Sequence, residues 1–302
     1  MDGRISNFAQ VASLRRYTMT EGRAKGLEVL DCDNGKIRFL LNVSKALDMM
    51  QLYHEGQNMS FLSKNAFDGR EIDFLRRFEG GMLYTCGLDS VGGREGFELH
   101  GNLHNIPAEL VRAECNEDGI IAEAIIHDSA LFGKNLVLRR KVTSKIGSTT
   151  VTVEDTLENA GFAPENYCVL YHVNVGYPML DDGASIVADV ESIEPRTPWA
   201  KKNIDGAYVI SDPVDNGEET CYFLGLRKPE ISLENATVGK KFTLCYSGDT
   251  LPRFVEWKSM VSGDYALGLE PCTTELDDRF AYCRLAAGAR VNFSLKISVN
   301  EL

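Results

Sequence analysis

Residues 291–298, Val-Asn-Phe-Ser-Leu-Lys-Ile-Ser, alternate apolar and polar side chains without a break. Successive side chains of a β-strand point to opposite faces, so this period of two predicts a strand with one buried and one solvated face. Residues 149–157 follow the same period, with Val151, Val153 and Leu157 on one side. Both segments indicate a chain built from half-buried strands.

Strand signals continue along the rest of the chain. The turn sequence Asp-Asn-Gly at residues 33–35 separates two apolar segments and predicts a β-hairpin of residues 26–32 and 36–41. Residues 168–175 form a denser apolar run, which is typical of a strand buried on both faces. Further strands are predicted at residues 46–53, 59–62, 120–127, 136–143, 221–226 and 241–247. The two helices predicted are short, at residues 6–16 and 68–78.

The distribution of linker and turn residues favours a single domain. No linker rich in proline, glycine or serine divides it, and no internal repeat is visible. Turn residues recur roughly every ten residues, which is the spacing of a sandwich or barrel. We therefore predict one all-β domain of large packed antiparallel sheets over residues 1–302, with residues 1–25 as an N-terminal extension. Residues 191–217, which contain three prolines, are predicted to form an irregular excursion beside the sheets.

Composition and charge limit the function classes. The formal net charge is −12, from 44 acidic and 32 basic residues, which argues against nucleic acid or an anionic membrane as the main partner. No apolar run reaches the roughly 18 residues that span a bilayer, and the first residues do not resemble a signal peptide. The eight cysteines include no C-x-x-C pair. We expect a cytoplasmic protein with reduced thiols and no metal or cofactor; the oligomeric state, including a homo-oligomer, stays open.

Three short segments carry polar side chains of the types that catalyse reactions or bind ligands. The first, Glu-Leu-His-Gly-Asn-Leu-His-Asn-Ile-Pro at residues 98–107, contains His100, His104 and Asn105. Gly101 lets the backbone approach a ligand closely, and the proline ends any regular strand. A turn whose polar side chains bond to nearby backbone groups would explain this segment equally well.

The second and third segments place polar groups on apolar strands. His172 and Asn174 are two residues apart, so on a strand they face the same side. Glu270 stands in an apolar strand end before Pro271, where burial would raise its pKa towards the range of a general base. A core histidine bonded to a carbonyl, and a glutamate that points into solvent, are the structural alternatives.

Two further basic segments have competing interpretations. Trp257 and Lys258 place an aromatic ring beside a charge, which is how proteins commonly bind a sugar and also how an ordinary strand edge looks. The triplet Arg-Arg-Lys at residues 139–141 is interpreted as a solvated strand edge rather than a phosphate site.

The order of these motifs resembles the aldose 1-epimerase (galactose mutarotase) superfamily. The shared features are Leu-His-Gly at residues 99–101, the segment 153–161 leading to Tyr-His-Val-Asn at 171–174, and Leu-Gly-Leu-Glu-Pro at 267–271. Residues 78–88, 100–108 and 256–272 are similar to the DUF4432 branch. The resemblance runs from about residue 26 to the C-terminus, and it rests on the order and spacing of the motifs together.

The resemblance implies a galactose mutarotase-like supersandwich with few short helices and a site on its concave face. It also implies general acid/base opening of a sugar ring, with Glu270 as the base, His172 as the acid and His100 bonded to the sugar. An arginine binds the sugar in related enzymes, and Arg77 is preferred here over Arg76; the alternative is a solvated basic pair at a helix end. With Arg77, the predicted substrate-binding residues are Asn105, His104, Asn174, Trp257 and Lys258.

Three functions remain open on this sequence. The first is an aldose mutarotase or epimerase that interconverts the anomers of a small-molecule sugar. The second is a non-catalytic sugar-binding or regulatory protein on the same scaffold, since one fold hosts many functions. The third is another sugar reaction, such as lyase or ketose isomerase chemistry, that uses the same groups. The presence of two imidazoles and one carboxylate favours an enzyme over a pure binding protein, and the first function is the leading hypothesis.

Overall fold

The computed structural model describes residues 3–302, so residues 1 and 2 of the predicted N-terminal extension lie outside it. The described strands form two antiparallel sheets. The smaller sheet has five strands in chain order: β1 (Ser13–Thr18), β2 (Glu28–Asp33), β3 (Ile37–Asn42), β4 (Asp48–His54) and β5 (Gln57–Asn58). Residues 13–18 of the predicted extension are therefore an edge strand of this sheet.

The larger sheet has thirteen strands among the described residues. Their bounds are β6 (Leu83–Leu88), β7 (Glu109–Asn116), β8 (Gly119–Ser129), β9 (Asn135–Ser144), β10 (Thr150–Asn159), β11 (Glu165–Val175), β12 (Ser185–Pro195), β13 (Thr220–Asn235), β14 (Lys240–Tyr246), β15 (Arg253–Val261), β16 (Asp264–Cys272), β17 (Cys283–Leu285) and β18 (Arg290–Glu301). Across the sheet they run β17-β11-β16-β15-β13-β14-β18-β10-β9-β8-β7, while β6 pairs with β11 and β12 pairs with β13.

Helices are few and short. The α-helices are α1 (Phe74–Arg77) and α2 (Pro198–Lys202), and single 3₁₀ turns occupy Phe8–Gln10, Gly22–Ala24, Leu103–Asn105 and Ile204–Gly206. No helix within residues 3–302 is both long and apolar enough to cross a membrane.

The strand predictions are confirmed in the segments that carried them. Strands β2 and β3 form the predicted hairpin, and every residue of β11 from Tyr167 to Val175 is buried. On β18, Phe293, Leu295 and Ile297 are buried in the core while their neighbours are not. The all-β fold class with large antiparallel sheets is therefore confirmed.

The helix predictions were wrong in extent. Residues 6–16 form only a 3₁₀ turn and then β1, because Ser13 to Thr18 pair with β2 along their whole length. Residues 68–78 contain one α-helical turn, which Asp73 caps by accepting a hydrogen bond from the amide of Arg76. Strand pairing overrides helix propensity in the first segment, and in the second the N-cap at Asp73 fixes where the helix begins. The predicted irregular excursion is also shorter, since residues 191–195 belong to β12.

A buried charge network joins the two sheets, and it corrects the interpretation of Arg140 as part of a solvated edge. The Arg140 guanidinium on β9 is buried and pairs with Asp155 on β10 and Asp48 on β4. It also donates to the hydroxyl of Thr85 on β6 at 2.9 Å. The hydroxyl of Tyr171 on β11 donates to Asp155 at 2.7 Å. Each member of this network therefore has a partner of complementary charge or hydrogen-bonding type.

Strand register positions the candidate site. Strand β11 lies between β6 and β16, and its register pairs Val173 with Leu269 and Leu170 with Cys272. The same register brings His172 level with Glu270 across the two strands. On the far side of β16, Trp257 of β15 pairs with Gly268. Three neighbouring strands thus present side chains to one patch of the sheet.

Candidate active site

A cavity of about 690 Å³ opens over β11, β15 and β16. His172, Trp257 and Glu270 line its floor, one from each strand, and His100 joins them from the loop after β6. All three residues predicted to be catalytic therefore lie on one cavity, although 170 positions separate the first from the last in the sequence (100 to 270). This volume is within the usual range for small-molecule sites.

Glu270 and His172 are in contact at the floor of the cavity. Glu270 Oε1 lies 3.1 Å from His172 Nε2, and the two residues are 1% and 5% exposed. The contact is not aligned as a hydrogen bond, and neither Glu270 Oε1 nor His172 Nδ1 has a hydrogen-bond partner within residues 3–302. Buried polar atoms without a partner are rare and costly in folded proteins. Hydrogen-bonding capacity therefore remains free at the place where a ligand would enter.

Burial sets the protonation of this pair. Burial raises the pKa of Glu270 well above its ordinary range, the Glu219 carboxylate adds to the increase, and Arg196 opposes it. Burial also holds the pKa of His172 well below its ordinary value, with a smaller contribution from His100. A protonated glutamate beside a neutral imidazole is consequently the state these environments favour near pH 7.

The loop around His100 fixes the orientation of its ring. His100 has a φ of 64° and Gly101 a φ of 73°, and a Cβ on Gly101 would lie 2.5 Å from the carbonyl oxygen of Gly87. The amide of Gly92 donates to His100 Nδ1 at 3.2 Å. Because burial and then Arg196 lower the pKa of His100 to about 4, the ring is neutral and its proton is on Nε2. His100 is thus a fixed hydrogen-bond donor 5.8 Å from the ring of His172, centre to centre.

Trp257 and Gly268 complete the floor. The Trp257 ring lies edge-on to His172, with centroids 5.4 Å apart, and its Nε1 donates to Glu219 Oε2 at 2.7 Å. Gly268 leaves the space that the other side chains need: a Cβ there would lie 2.4 Å from Glu270 Oε1 and 3.1 Å from Trp257 Cε3. Any side chain at position 268 would therefore displace the carboxylate or the indole.

An aromatic wall encloses one side of the cavity. Phe74 and Phe78, at the start and end of α1, stack at 4.9 Å. Phe74 packs on His100 and Phe78 on His172, with centroid distances of 5.2 and 5.4 Å. These rings exclude water from the imidazoles, which is the physical source of their lowered pKa values.

Four charged residues of the cavity lining were not predicted from the sequence. Two of them, Lys64 and Asp264, pair with each other at 2.7 Å; the others are Arg196 and Glu219. Arg196 follows β12 and Glu219 precedes β13, and both line the cavity. No ion pair of Arg196 is found within residues 3–302. No motif marks either residue. The only sequence signal was the proline-rich excursion after β12, which is where irregular backbone reaches over a sheet.

Some predicted binding residues lie outside the cavity lining. Lys258 donates from Nζ to the carbonyl oxygens of Gly206, Ala207 and Val209 at 2.6 to 3.1 Å. Its side chain is on the face of β15 opposite Trp257, because neighbouring strand residues face opposite ways. Lys258 therefore holds the segment after α2 against the sheet.

The other four predicted binding residues also lie outside the cavity lining. His104 Nδ1 lies 2.6 Å from Asp48 Oδ2, and its ring stacks on Tyr84 at 3.7 Å. Asn174 Nδ2 donates to the carbonyl oxygen of His172 at 2.9 Å. Arg77 is buried with Nη2 3.6 Å from Glu98 Oε1. Asn105 Nδ2 is buried without a hydrogen-bond partner among the described residues.

The cavity does not coincide with a metal-ligand cluster. Among the described residues, His54, Glu55 and Glu301 form the group whose potential ligand atoms lie within 4.8 Å of one another. That group is on the β4–β5 turn and the end of β18, and none of its members lines the cavity.

Comparison with solved structures identifies the fold. A Klebsiella pneumoniae protein, whose assignment as an aldose 1-epimerase is provisional, superposes with a TM-score of 0.88 at 20% identity, covering 97% of this chain and 86% of the other. A galactose mutarotase-like protein from Clostridium acetobutylicum gives 0.71 at 11% identity, covering 97% and 100%. A galactose mutarotase-like protein from Lactobacillus casei gives 0.63 at 14% identity, covering 90% and 100%. At these identities the likeness establishes the fold.

No curated protein matches the chain significantly. The family model of DUF4432, a domain of unknown function, matches residues 24–299. The chain therefore belongs to the DUF4432 family and has a galactose mutarotase-like fold.

Proposed function

We propose that this protein is a carbohydrate-active isomerase that interconverts the anomers of a small-molecule aldose by acid/base ring opening. The observation that carries the proposal is the contact between Glu270 and His172, 3.1 Å apart on a cavity floor and both still free to bond a ligand. The names of the similar structures are consistent with this chemistry.

The reaction needs two proton transfers, one at each of the two oxygens bonded to the anomeric carbon. A base takes the proton of the anomeric hydroxyl while an acid protonates the ring oxygen, and the bond between the anomeric carbon and the ring oxygen breaks. The aldehyde that forms rotates, and the reverse transfers close the ring on its other face. Both oxygens are bonded to the same carbon, so an acid and a base that touch each other can reach both.

The protonation of the free pair adds one step to this scheme. Glu270 is favoured as the protonated partner, yet the role of base requires a carboxylate. Transfer of that proton to His172 across their contact produces the carboxylate and the imidazolium together, so that Glu270 is the base and His172 the acid. The hydroxyls of a bound sugar stabilise the carboxylate by donating hydrogen bonds to it.

The remaining lining residues bind and orient the sugar. His100 Nε2 donates a hydrogen bond towards the ring oxygen side, and Trp257 and Phe78 cover an apolar sugar face. Arg196 and Glu219 offer a charged donor and acceptor to hydroxyls at the rim. Arg77, His104, Asn105, Asn174 and Lys258 are not assigned direct sugar contacts, because their side chains lie outside the lining.

Nuclear magnetic resonance exchange spectroscopy on a panel of free aldoses tests the proposal. We expect wild-type protein to accelerate anomer exchange of at least one sugar, and His172→Gln to lower that rate by roughly 10²–10⁴-fold. The matched control is His127→Gln, which changes an exposed histidine on β8 and should keep the wild-type rate. Saturable binding of a sugar without faster anomer exchange would contradict the enzyme proposal and would support a non-catalytic sugar-binding protein.

A further inference from the structure

A second cluster of potential ligand atoms lies where the two sheets meet, away from the cavity. His54 ends β4, Glu55 follows it in the turn to β5, and Glu301 ends β18. Lys240, the first residue of β14, lies between the two carboxylates. The cluster therefore joins the smaller sheet to the last strand of the larger one.

The unusual member of the cluster is His54. Its side chain is fully buried, and neither ring nitrogen has a hydrogen-bond partner within residues 3–302. Nδ1 is directed at the cluster, 3.9 Å from Glu301 Oε1. Leaving a buried polar group unpaired costs about 1–3 kcal/mol. A bound ion is one of the few explanations for such a group in a folded protein.

The carboxylates already hold a cation. Lys240 Nζ is 3.1 Å from Glu55 Oε2 and 3.0 Å from Glu301 Oε1, and Lys36 Nζ is 2.5 Å from Glu55 Oε1. Lys240 is almost completely buried, whereas the two glutamates are about half exposed. The ammonium of Lys240 is thus a buried cation whose two carboxylate partners are in contact with solvent.

The ligand atoms have the chemistry and spacing for a transition-metal ion. The nitrogen and the two oxygens lie within 4.8 Å of one another, and ligands about 2.0–2.2 Å from a tetrahedral zinc ion are roughly 3.5 Å apart. Small rotations of two exposed glutamates close that difference. One imidazole with two carboxylates suits zinc, cobalt or nickel, whereas an imidazole is a poor ligand for magnesium or calcium.

We propose that His54, Glu55 and Glu301 form a binding site for a zinc-like divalent ion, and that Lys240 occupies the cation position in the metal-free protein. Metal binding displaces Lys240 towards solvent, bonds the free nitrogen of His54, and links the end of β18 to the β4–β5 turn. The site is structural and does not depend on the function of the cavity.

Titration of the full chain with Co²⁺, followed by visible absorption, tests this proposal. A tetrahedral cobalt site absorbs strongly in the visible range, and the absence of a thiolate charge-transfer band excludes binding by the cysteines. We expect saturable binding of one Co²⁺ ion, competition by Zn²⁺, and a Zn²⁺-dependent increase in the unfolding midpoint.

Variants identify the ligands and the competitor. His54→Gln should weaken Co²⁺ binding at least about tenfold, and the exposed Glu301→Gln should do the same if the buried substitution does not fold. Lys240→Met should tighten binding by a similar factor, because it removes the ammonium that the metal must displace. The matched control is His127→Gln, an exposed histidine that lies 3.7 Å from Glu109.

Two outcomes would overturn the proposal. Equal Co²⁺ affinity in wild type, His54→Gln and Glu301→Gln would mean that the metal binds elsewhere on the acidic surface. Unchanged or weaker binding in Lys240→Met would remove Lys240 as the occupant of the cation position.

Discussion

Two buried histidines of this protein each lie against a carboxylate, and their surroundings differ in one respect. His104 Nδ1 hydrogen-bonds to Asp48, which is itself paired with Arg140. His172 touches Glu270 without hydrogen-bond alignment, and the Glu270 oxygen nearest to it has no partner among the described residues. The carboxylate beside His104 is paired with a cation, although His104 Nε2 has no hydrogen-bond partner among the described residues. The carboxylate beside His172 has no such cation within residues 3–302.

We infer from this difference that the charges around Arg140 are buried for structure and that the Glu270–His172 pair is buried for function. Removing one partner from a paired buried network leaves an uncompensated charge, which destabilises the folded protein. The residues of such a network are therefore needed for stability. An unsatisfied acid and base gain a partner only when a ligand arrives, so their burial costs stability in the free protein. The network around Arg140 should therefore respond to mutation by unfolding, and the Glu270–His172 pair by losing activity.

The largest effect on stability is expected at Arg140. Arg140→Met leaves Asp48 and Asp155 buried without their cation, and should lower the free energy of unfolding by about 3–5 kcal/mol. Urea unfolding followed by circular dichroism measures it. Lys141→Met is the matched control, because Lys141 is its neighbour on β9 and is partly exposed. A loss similar to that of the control would show that the network contributes little.

A smaller effect, on activity alone, is expected at Gly268. In Gly268→Ala the new Cβ would lie 2.4 Å from Glu270 Oε1 and would push it aside. Displacing a reacting group by about 1 Å costs roughly 10²-fold in rate. Anomer exchange should therefore fall while the unfolding curve stays near that of wild type. Gly206→Ala is the control, because a Cβ at Gly206 meets no atom within 4 Å. An unchanged rate in Gly268→Ala would argue that the position of the carboxylate is not critical.

The pH dependence of stability should have opposite signs in the two regions. Burial alone would raise the pKa of Asp48, but Arg140 and His104 outweigh it, and the pKa lies below its ordinary value. Stability from Asp48 is therefore present above its unfolded pKa and is lost as the pH falls through the folded pKa. Glu270 has a raised pKa, so the folded protein keeps a proton that the unfolded chain releases above about pH 4.5. Its contribution to stability decreases as the pH rises.

Glu270→Gln isolates the second effect. Relative to wild type, the variant should gain up to roughly 1.4 kcal/mol of unfolding free energy per pH unit between pH 5 and the folded pKa of Glu270. Unfolding midpoints of both proteins at pH 5, 6, 7 and 8 measure the difference. A constant difference across this range would mean that Glu270 ionises normally in the folded protein.

The sequence predicted the strands and the centre of the candidate site because their signals are local. The alternation in β18 and the Asp-Asn-Gly turn each report on a few neighbouring residues. The helix at residues 6–16 was wrong because pairing with β2, which is not visible in the local sequence, decides that segment. The buried position of Arg140 was missed for a similar reason, since its partners come from β4 and β10.

The extent of the site was harder to predict than its centre. His172 and Glu270 are polar residues on apolar strands, and His100 belongs to a loop motif rich in polar side chains. Arg196 and Glu219 enter the cavity from irregular segments without a motif. Lys258 and Trp257 are adjacent in sequence, yet only Trp257 faces the cavity, because the period of two separates them. The sequence does not say which face of β15 lines the cavity, and that knowledge is needed to distinguish the two residues.

We propose that Glu270 is buried for chemistry rather than for stability, and two Glu→Gln substitutions test this. Glu256 on β15 is also completely buried, and neither carboxylate oxygen has a hydrogen-bond partner among the described residues. Burial raises its pKa to about 8, although Lys258 Nζ, 3.9 Å from Glu256 Oε1, opposes the increase. Glu256 lies on the face of β15 opposite Trp257. Anomer exchange rates of Glu270→Gln and Glu256→Gln should be measured by nuclear magnetic resonance on the sugar with the fastest wild-type exchange. We predict a loss of roughly 10²–10⁴-fold for Glu270→Gln and the wild-type rate for Glu256→Gln; full activity in Glu270→Gln would contradict the account.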